Sequence, residues 1–391
     1  VDLARDAKAE GLTSARDCLD IQSGAKAMEK AARDLRLAVG VDAGRFSYEQ
    51  LQERPEFAPA LKTLEEEVAR FAAILETQAQ RAEGIEKCWQ RALELQQAFA
   101  QWQNLADLGY VRWGEAFTQS LQLNSTPLKV ADIFRKQMGG HPRAWIFTSA
   151  TLAVQGKFHH YCAELGLGDP DSACWHSPFD YGEQAVLYAP LGMPDPNAWN
   201  YTDTVVEAAW PAVKAAKGGA FFLCTSLRAM RRTHELLKAK IEDEGLDIPL
   251  LVQGEGSKND LLQRFRNHGA SILVGSQSFW EGVDVRGEAL SLVVIDKIPF
   301  APPDDPVLSA RIEQMKQQGR NAFMEYQLPR AVINVKQGAG RLIRDENDKG
   351  VLMICDPRLI SKPYGRKIWQ SLPPMKRTRE LQVVLDFFAK R

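Results

Sequence analysis

The 391-residue chain has no paired CxxC motif, no apolar run of membrane-spanning length and almost no net charge. Its six cysteines, Cys18, Cys88, Cys162, Cys174, Cys224 and Cys355, are scattered, which argues against a disulfide framework and the common zinc modules. With no secretory leader in view, the chain reads as a reduced, cytoplasmic, soluble protein with no membrane partner. A formal charge of −1 removes any bulk electrostatic case for nucleic acid. His159, Cys162, Cys174 and His176 could together make four metal ligands. Their spacing matches no common zinc module, and the competing reading is four structural residues, so no metal is expected.

Charge is distributed unevenly along the chain. Up to Tyr110 there are 19 acidic residues against 14 basic, and beyond it 31 against 35. From Ala331 onward the balance is 13 basic to 6 acidic, which suits a phosphate-bearing partner as well as it suits a solvated basic face. The first 110 residues hold only Pro55 and Pro59. Leu61, Leu64, Val68, Phe71 and Leu75 recur there at helical spacing, as do Ile85, Cys88, Ala92, Leu95, Phe99, Trp102 and Ala106. Two long helices broken at Gly84 are expected to form an antiparallel hairpin in an all-helical domain. Trp89 and Trp102 lie on or beside the apolar stripe and read as core or interface residues.

Past Tyr110 the texture changes. VRWGEAFTQSLQL reads as a strand pair, Val130 to Met138 as a helix and RAWIFTSATL as a strand. Apolar runs then alternate with helical patterns at 185–189, 220–225, 250–253, 271–275, 290–296 and 351–356. Short apolar strands separated by helices indicate an α/β domain with a mostly parallel sheet covered on both faces, from near Pro178 onward.

Chemistry in such sheets collects at the carboxyl ends of strands, and four stretches are candidates for it. Thr148, Ser149 and Thr151 end one apolar run. Thr225 and Ser226 end AFFLCTS, just before a helix whose N-terminus suits an anion. SILVGSQSFWEGVDVRG carries Ser278, Glu281, Gly282 and Asp284, a glycine for close backbone approach and carboxylates for a sugar hydroxyl or a partner side chain. QGAGRLIR is the fourth. On one helix Gln337, Arg341 and Arg344 would share a face by i, i+4, i+7 spacing, while Val332, Val335, Ala339 and Leu342 form an apolar stripe. Gly338 and Gly340 weaken that helix, so tight packing or a close approach is expected there. The octapeptide reads either as an amphipathic helix with exposed arginines or as a pair of arginine fingers facing a phosphoryl group. Each of the other stretches has an equally plain structural reading as a cap, a turn or an acidic loop.

The ordered set TSATL, FFLCTS, SFWEGVDVRG with VVIDKIPFAPPDDP, and QGAGRLIR resembles helicase motifs III to VI of superfamily 2, in its iron–sulfur XPD-like branch. HSPFDY, KIPF and CDPRLISKPYG are similar to the bacterial DinG/YoaA family, its YoaA members most of all. The motifs cover about Ala144 to Gly365. The resemblance implies two RecA-like motor domains, an iron–sulfur domain and a helical arch that translocate 5′ to 3′ on single-stranded or forked DNA, in repair or replication. By that analogy residues 1–110 are arch-like, 111–177 close the first motor domain and 178–391 form the second. Gln337, Arg341 and Arg344 would face the ATP γ-phosphate, with Glu281, Gly282, Asp284 and Gly340 lining the nucleotide. Thr148, Ser149 and Thr151 would couple the two motor domains, and Thr225, Ser226 and Ser278 would meet DNA phosphates.

The chain departs from that pattern in having no GxxxxGK[ST] loop, no Asp-Glu-x-His box after an apolar strand and no four clustered cysteines. It is expected to begin just after that box. ATP with Mg²⁺ and an iron–sulfur cluster then belong to the longer protein, and none is expected on this chain, which reads as monomeric. A non-catalytic docking module for a replication or repair partner is the competing reading, using Leu381, Val384, Leu385 and Phe388 as an anchor face. Paired carboxylates at metal-ligand spacing, as a nuclease would need, do not stand out. Arginine fingers without a phosphate-binding loop cannot hold their nucleotide. The purified chain is therefore expected to show no DNA-stimulated ATP turnover and no unwinding, and turnover above a blank would overturn that expectation.

Overall fold

The computed structural model describes the whole chain except residues 41–42, 105–108, 141–142, 155, 176, 277–278, 280–288 and 391. Two compact units emerge: Val1–Ile133 with Pro302–Arg320, and Phe134–Ala301 with Asn321–Arg391.

The first unit is built on the helices Asp2–Ser14, Leu19–Ala38, Phe57–Gln78 and Glu83–Gln103. The expected stripe residues Leu61, Leu64, Val68, Phe71 and Leu75 are all buried, in one core with Ile21, Ala25, Ile85, Cys88 and Ala92. Gln103 Nε2 donates to Glu65 Oε2 at 2.9 Å, so the end of one long helix lies beside the start of the other, as an antiparallel hairpin requires. The break between them falls at Ala82, extended at φ −159°, and Gly84 lies inside the following helix.

The unit is not all helical. Strand β1 (Gly44–Ser47) pairs antiparallel with β2 (Tyr110–Ala116), which pairs antiparallel with β3 (Leu121–Pro127). The expected strand pair is present, but it packs with the helices: Ala116, Leu121 and Leu123 enter their core, and Trp102 Nε1 donates to Asn124 O at 2.9 Å. Alternation explains this placement, because one face of a short antiparallel sheet carries the apolar residues and must be covered.

The second unit holds β4 (Ala185–Tyr188), β5 (Ala220–Leu223), β6 (Leu250–Val252), β7 (Ile272–Gly275), β8 (Leu292–Ile295), β9 (Gly350–Ile354) and β10 (Lys376–Thr378). They form one sheet in the order β10-β4-β9-β8-β5-β7-β6, and every pairing is parallel. Each of the six expected apolar runs contains one strand. Side chains alternate strictly between two cores: Phe221, Leu223, Val293, Ile295, Leu352 and Ile354 on one face, Phe222, Val294, Val351 and Met353 on the other. Helices Tyr201–Ala215 and Leu227–Asp243, on connections stepping toward the β6 edge, cover the second face. Helices Lys258–His268 and Leu328–Ala339, on connections stepping back, cover the first. One face per direction is the signature of a single crossover handedness.

RAWIFTSATL does not form a strand. Residues 143–149 carry no ladder, and Trp145 and Ile146 are 44% and 83% exposed. Apolar composition makes a segment competent to be a strand, but only a paired neighbour makes it one. The helix expected at Val130–Met138 forms as Ala131–Met138.

Helix Leu381–Ala389 buries Val384 completely and leaves Phe388 8% exposed, in the core shared with Tyr201, Val205 and Met353. Val384 and Phe388, two of the four anchor residues of the docking reading, are thus spent on the unit's own core, while Leu381 and Leu385 are half-buried. Phe388→Ala should lower unfolding stability by about 3 kcal/mol in denaturant titrations, the scale of a buried aromatic truncation. A variant as stable as the parent would favour the docking reading.

Candidate functional site

Three adjacent strands, β5, β8 and β9, end together at the carboxyl edge of the sheet. Asp296 follows β8 and Asp356 follows β9, at 5% and 2% exposure. Asp296 accepts from Thr225 N at 3.0 and 3.1 Å, from Thr225 Oγ1 at 3.2 Å and from Lys297 N at 2.6 Å. Asp356 accepts from Ile298 N at 2.8 Å and from Arg358, whose Nε and Nη2 close a fork at 2.9 and 2.6 Å. Tyr201 Oη donates to the Asp296 carbonyl at 2.8 Å, and Lys297 Nζ donates to Pro196 O. Burial pushes the Asp296 carboxyl up to about 6, against donors that favour its charged form. These two aspartates were not singled out as site residues in the sequence, although each follows directly on an apolar run, in VVID and MICD. That position after a buried strand is the signal that could have found them.

Thr225 and Ser226 lie where the sequence placed them, between β5 and helix Leu227–Asp243. The Thr225 hydroxyl is committed to Asp296, and Ser226 Oγ caps the helix by accepting from Ala229 N at 3.1 Å. Ser226 also leaves the helix N-terminus facing the carboxyl edge.

QGAGRLIR sits at the opposite edge. Helix Leu328–Ala339 runs back from the carboxyl edge, so residues 340–349 precede β9 at the amino edge. Gln184, immediately before β4, confirms this by donating to the carbonyls of Asp345, Glu346 and Asp348 at 2.9 to 3.1 Å. The stretch therefore does not share an edge with Thr225. The single helical face expected for Gln337, Arg341 and Arg344 is also not formed. The helix stops at Ala339 with Gly340 as its C-cap, Arg341 N and Leu342 N bond only three residues back, and Arg344 N turns to Asp348 Oδ2 at 2.7 Å. Low helix propensity at Gly338 and Gly340 and the buried Asp348 acceptor, 6% exposed, together outcompete another turn. The apolar stripe does persist, with Val332, Val335, Ala339 and Leu342 buried in one core. The tight packing there falls on Gly350, where a Cβ would meet Leu342 Cδ1 at 2.5 Å.

Thr148 and Ser149 are exposed, and the Ser149 and Thr151 hydroxyls lie 3.2 Å apart. Two residues on, Ala153 O accepts from Lys336 Nζ at 3.0 Å, which ties this segment to helix Leu328–Ala339. Ser278, Glu281, Gly282, Asp284 and His176 lie outside the described residues. Among the described residues no group of three or more His, Cys, Asp or Glu side chains could hold a metal ion. Gln337 keeps a buried Oε1 with no hydrogen-bond partner among the described residues.

Residues 209–375 match the family described as the helicase C-terminal domain. The chain is 39% identical over 389 residues to the ATP-dependent DNA helicase YoaA of Escherichia coli and 38% identical over 391 residues to that of Haemophilus influenzae. It spans 60% of the length of each of these curated relatives and is itself covered completely. It is 35% identical over 263 residues to the helicase DinG of Mycobacterium tuberculosis, covering 66% of this chain and 38% of that one. Among solved structures an XPD helicase superposes with a TM-score of 0.57 at 16% identity, over 96% of this chain and 63% of that one, a likeness of fold.

Asp296 gives the site edge a pH signature. Its native value near 6 lies above the unfolded carboxyl value of about 4, so the native state binds the proton more tightly. Its contribution is fully present below about pH 4 and is lost as pH rises through about 6, by roughly 2–3 kcal/mol. Unfolding stability of the parent relative to Asp296→Asn should therefore decline between those two pH values and then level off. A difference that stays flat with pH would show that Asp296 does not titrate there.

Proposed function

The chain belongs to the DinG/YoaA family of XPD-like superfamily 2 helicases, as a carboxyl-terminal portion, and from this we propose that it supplies one half of an ATP-driven DNA motor. In this reading the seven-stranded unit from near Pro178 is the second RecA-like motor domain, and the helical unit is arch-like. Residues of 111–177 that lie outside the helical unit close the first motor domain.

The observation that carries the reading is the division of the phosphate-suited residues between two edges of one parallel sheet. Gln337, Arg341 and Arg344 act on ATP from the amino edge. Gln337 fits a nucleotide because its buried amide oxygen has no partner among the described residues, and such an atom calls for a ligand or water. The arginines neutralise charge on the transferring γ-phosphoryl group, and bound Mg²⁺ would supply the remaining countercharge. Thr225 and Ser226 hold the DNA track at the carboxyl edge. The Asp296 carboxylate fixes the Thr225 backbone, and the capped helix end presents amides to a phosphate. Thr148, Ser149 and Thr151 couple the motor domains through the segment that Lys336 holds.

In this reading the phosphate-binding loop, the Asp-Glu-x-His box and the iron–sulfur cluster belong to a longer protein of which this chain is one part. The chain by itself accordingly binds single-stranded or forked DNA weakly, through salt-sensitive phosphate contacts, without turning over ATP. In the full-length protein the motor runs 5′ to 3′.

In that full-length protein Arg341→Ala should slow ATP hydrolysis by roughly 10³-fold while leaving DNA affinity in place. Steady-state turnover and fluorescence anisotropy on the same preparation test both halves. Equal loss of hydrolysis and binding would make Arg341 a structural residue.

A further inference from the structure

Trp199 is 94% exposed, although tryptophan is among the more buried side chains in folded proteins. It is held on a defined backbone. Asp195 Oδ1 accepts from Asn197 N and Asp195 O from Ala198 N, both at 2.8 Å, and Lys297 Nζ donates to Pro196 O. Two residues later Tyr201 is buried and bonded to the Asp296 carbonyl at 2.8 Å. The indole therefore stands out from a turn that is fastened on both sides to the network around Asp296.

Its surroundings identify a ligand. Asp203, in the first turn after Trp199, makes a bidentate pair with Arg232 at 2.9 and 2.7 Å. That fork sets the start of helix Tyr201–Ala215 beside the start of helix Leu227–Asp243, with both N-termini at the carboxyl edge. On this corner Arg228 and Arg231 are exposed and make no ion pair among the described residues, while Asp203 is committed to Arg232 and Asp195 to its own turn. An exposed indole just before one helix, and two uncommitted guanidiniums in the first turns of the capped helix clasped to it, have the chemistry of single-stranded nucleic acid recognition. One flat face meets a base, and positive charge meets the backbone. Protein interfaces also favour tryptophan and arginine, so the dependence of binding on the bases is what separates the two partners.

We propose that Trp199 is a stacking platform for a base of single-stranded DNA, with Arg228 and Arg231 holding the neighbouring phosphates. This rests on the DNA-track reading of the carboxyl edge and adds the residue that grips the base rather than the backbone.

The test compares binding of the chain to fluorescent oligo-dT and to an abasic deoxyribose oligomer of the same length at low ionic strength. Trp199→Ala should weaken oligo-dT binding about tenfold, the scale of one stacked base, and leave the abasic oligomer unaffected. Trp199→Phe should recover most of the loss, and Arg228→Ala should weaken both oligomers. A fluorescence melt unchanged by Trp199→Ala is expected for so exposed a side chain. Oligo-dT affinity unchanged in Trp199→Ala, or equal weakening of both oligomers, overturns the stacking assignment and leaves the DNA track standing. Absence of binding to either oligomer by the parent chain overturns both.

Discussion

A carboxylate buried at the end of a β-strand is costly unless several donors meet it, and Asp296 organises the carboxyl edge of the sheet around that requirement. Its oxygens accept from the Thr225 backbone at the end of one neighbouring strand and from Lys297 on its own. Asp356 repeats the device on the other neighbour, accepting from Ile298 as the chain leaves β8 and from Arg358 as it leaves β9. Three strands are thereby tied at their ends by side chains rather than by the ladder. The loops that follow them start from fixed positions, which is what a site built on loops requires. Tyr201 and Lys297 extend the same network to the turn that carries Trp199.

How much of this could be read in advance depended on burial. The five central strands, and the apolar edge strand β6, were legible because both faces of a parallel sheet are covered, so each appears as an unbroken apolar run. Strand β10, Lys376–Thr378, was missed because it is polar and exposed at Lys376 and Arg377, unlike β6 at the other edge. Strand β1, Gly44–Ser47, is four residues long between helices and carries no apolar alternation that a sequence scan could weigh. RAWIFTSATL shows the opposite error, an apolar run with no neighbour to pair with.

The candidate site was legible in parts and illegible in its geometry. Thr225 and Ser226 were found from their place after a strand. The apolar stripe of helix Leu328–Ala339 was found from its spacing, but the end of that helix was not. Its end is decided by Asp348, four residues beyond Arg344, which takes the backbone N–H groups of Arg344 and Asp345 that a further helical turn would have used. A competing acceptor supplied from downstream leaves no periodic trace. The edge at which the arginines lie, by contrast, was within reach of the sequence, since residues that directly precede a strand of a parallel sheet lie at its amino edge.

That placement bears on how the proposed motor works. The strands between the two edges are four or five residues long, so the arginines and the DNA-side residues are separated by about 15 Å of sheet. Between them lie Phe221, Val293, Ile295, Leu352 and Ile354, fully or almost fully buried. Packing of that kind does not deform by small degrees, and it transmits displacement as a rigid body. On the proposed roles, a nucleotide that pulls on Arg341 and Arg344 cannot rearrange Thr225 through a local relay of side chains. It moves the sheet as a whole, and the residues at the far edge travel with it. The two buried aspartates then hold the DNA-side loops rigid during that movement, so that displacement of the sheet becomes displacement of the strand it grips.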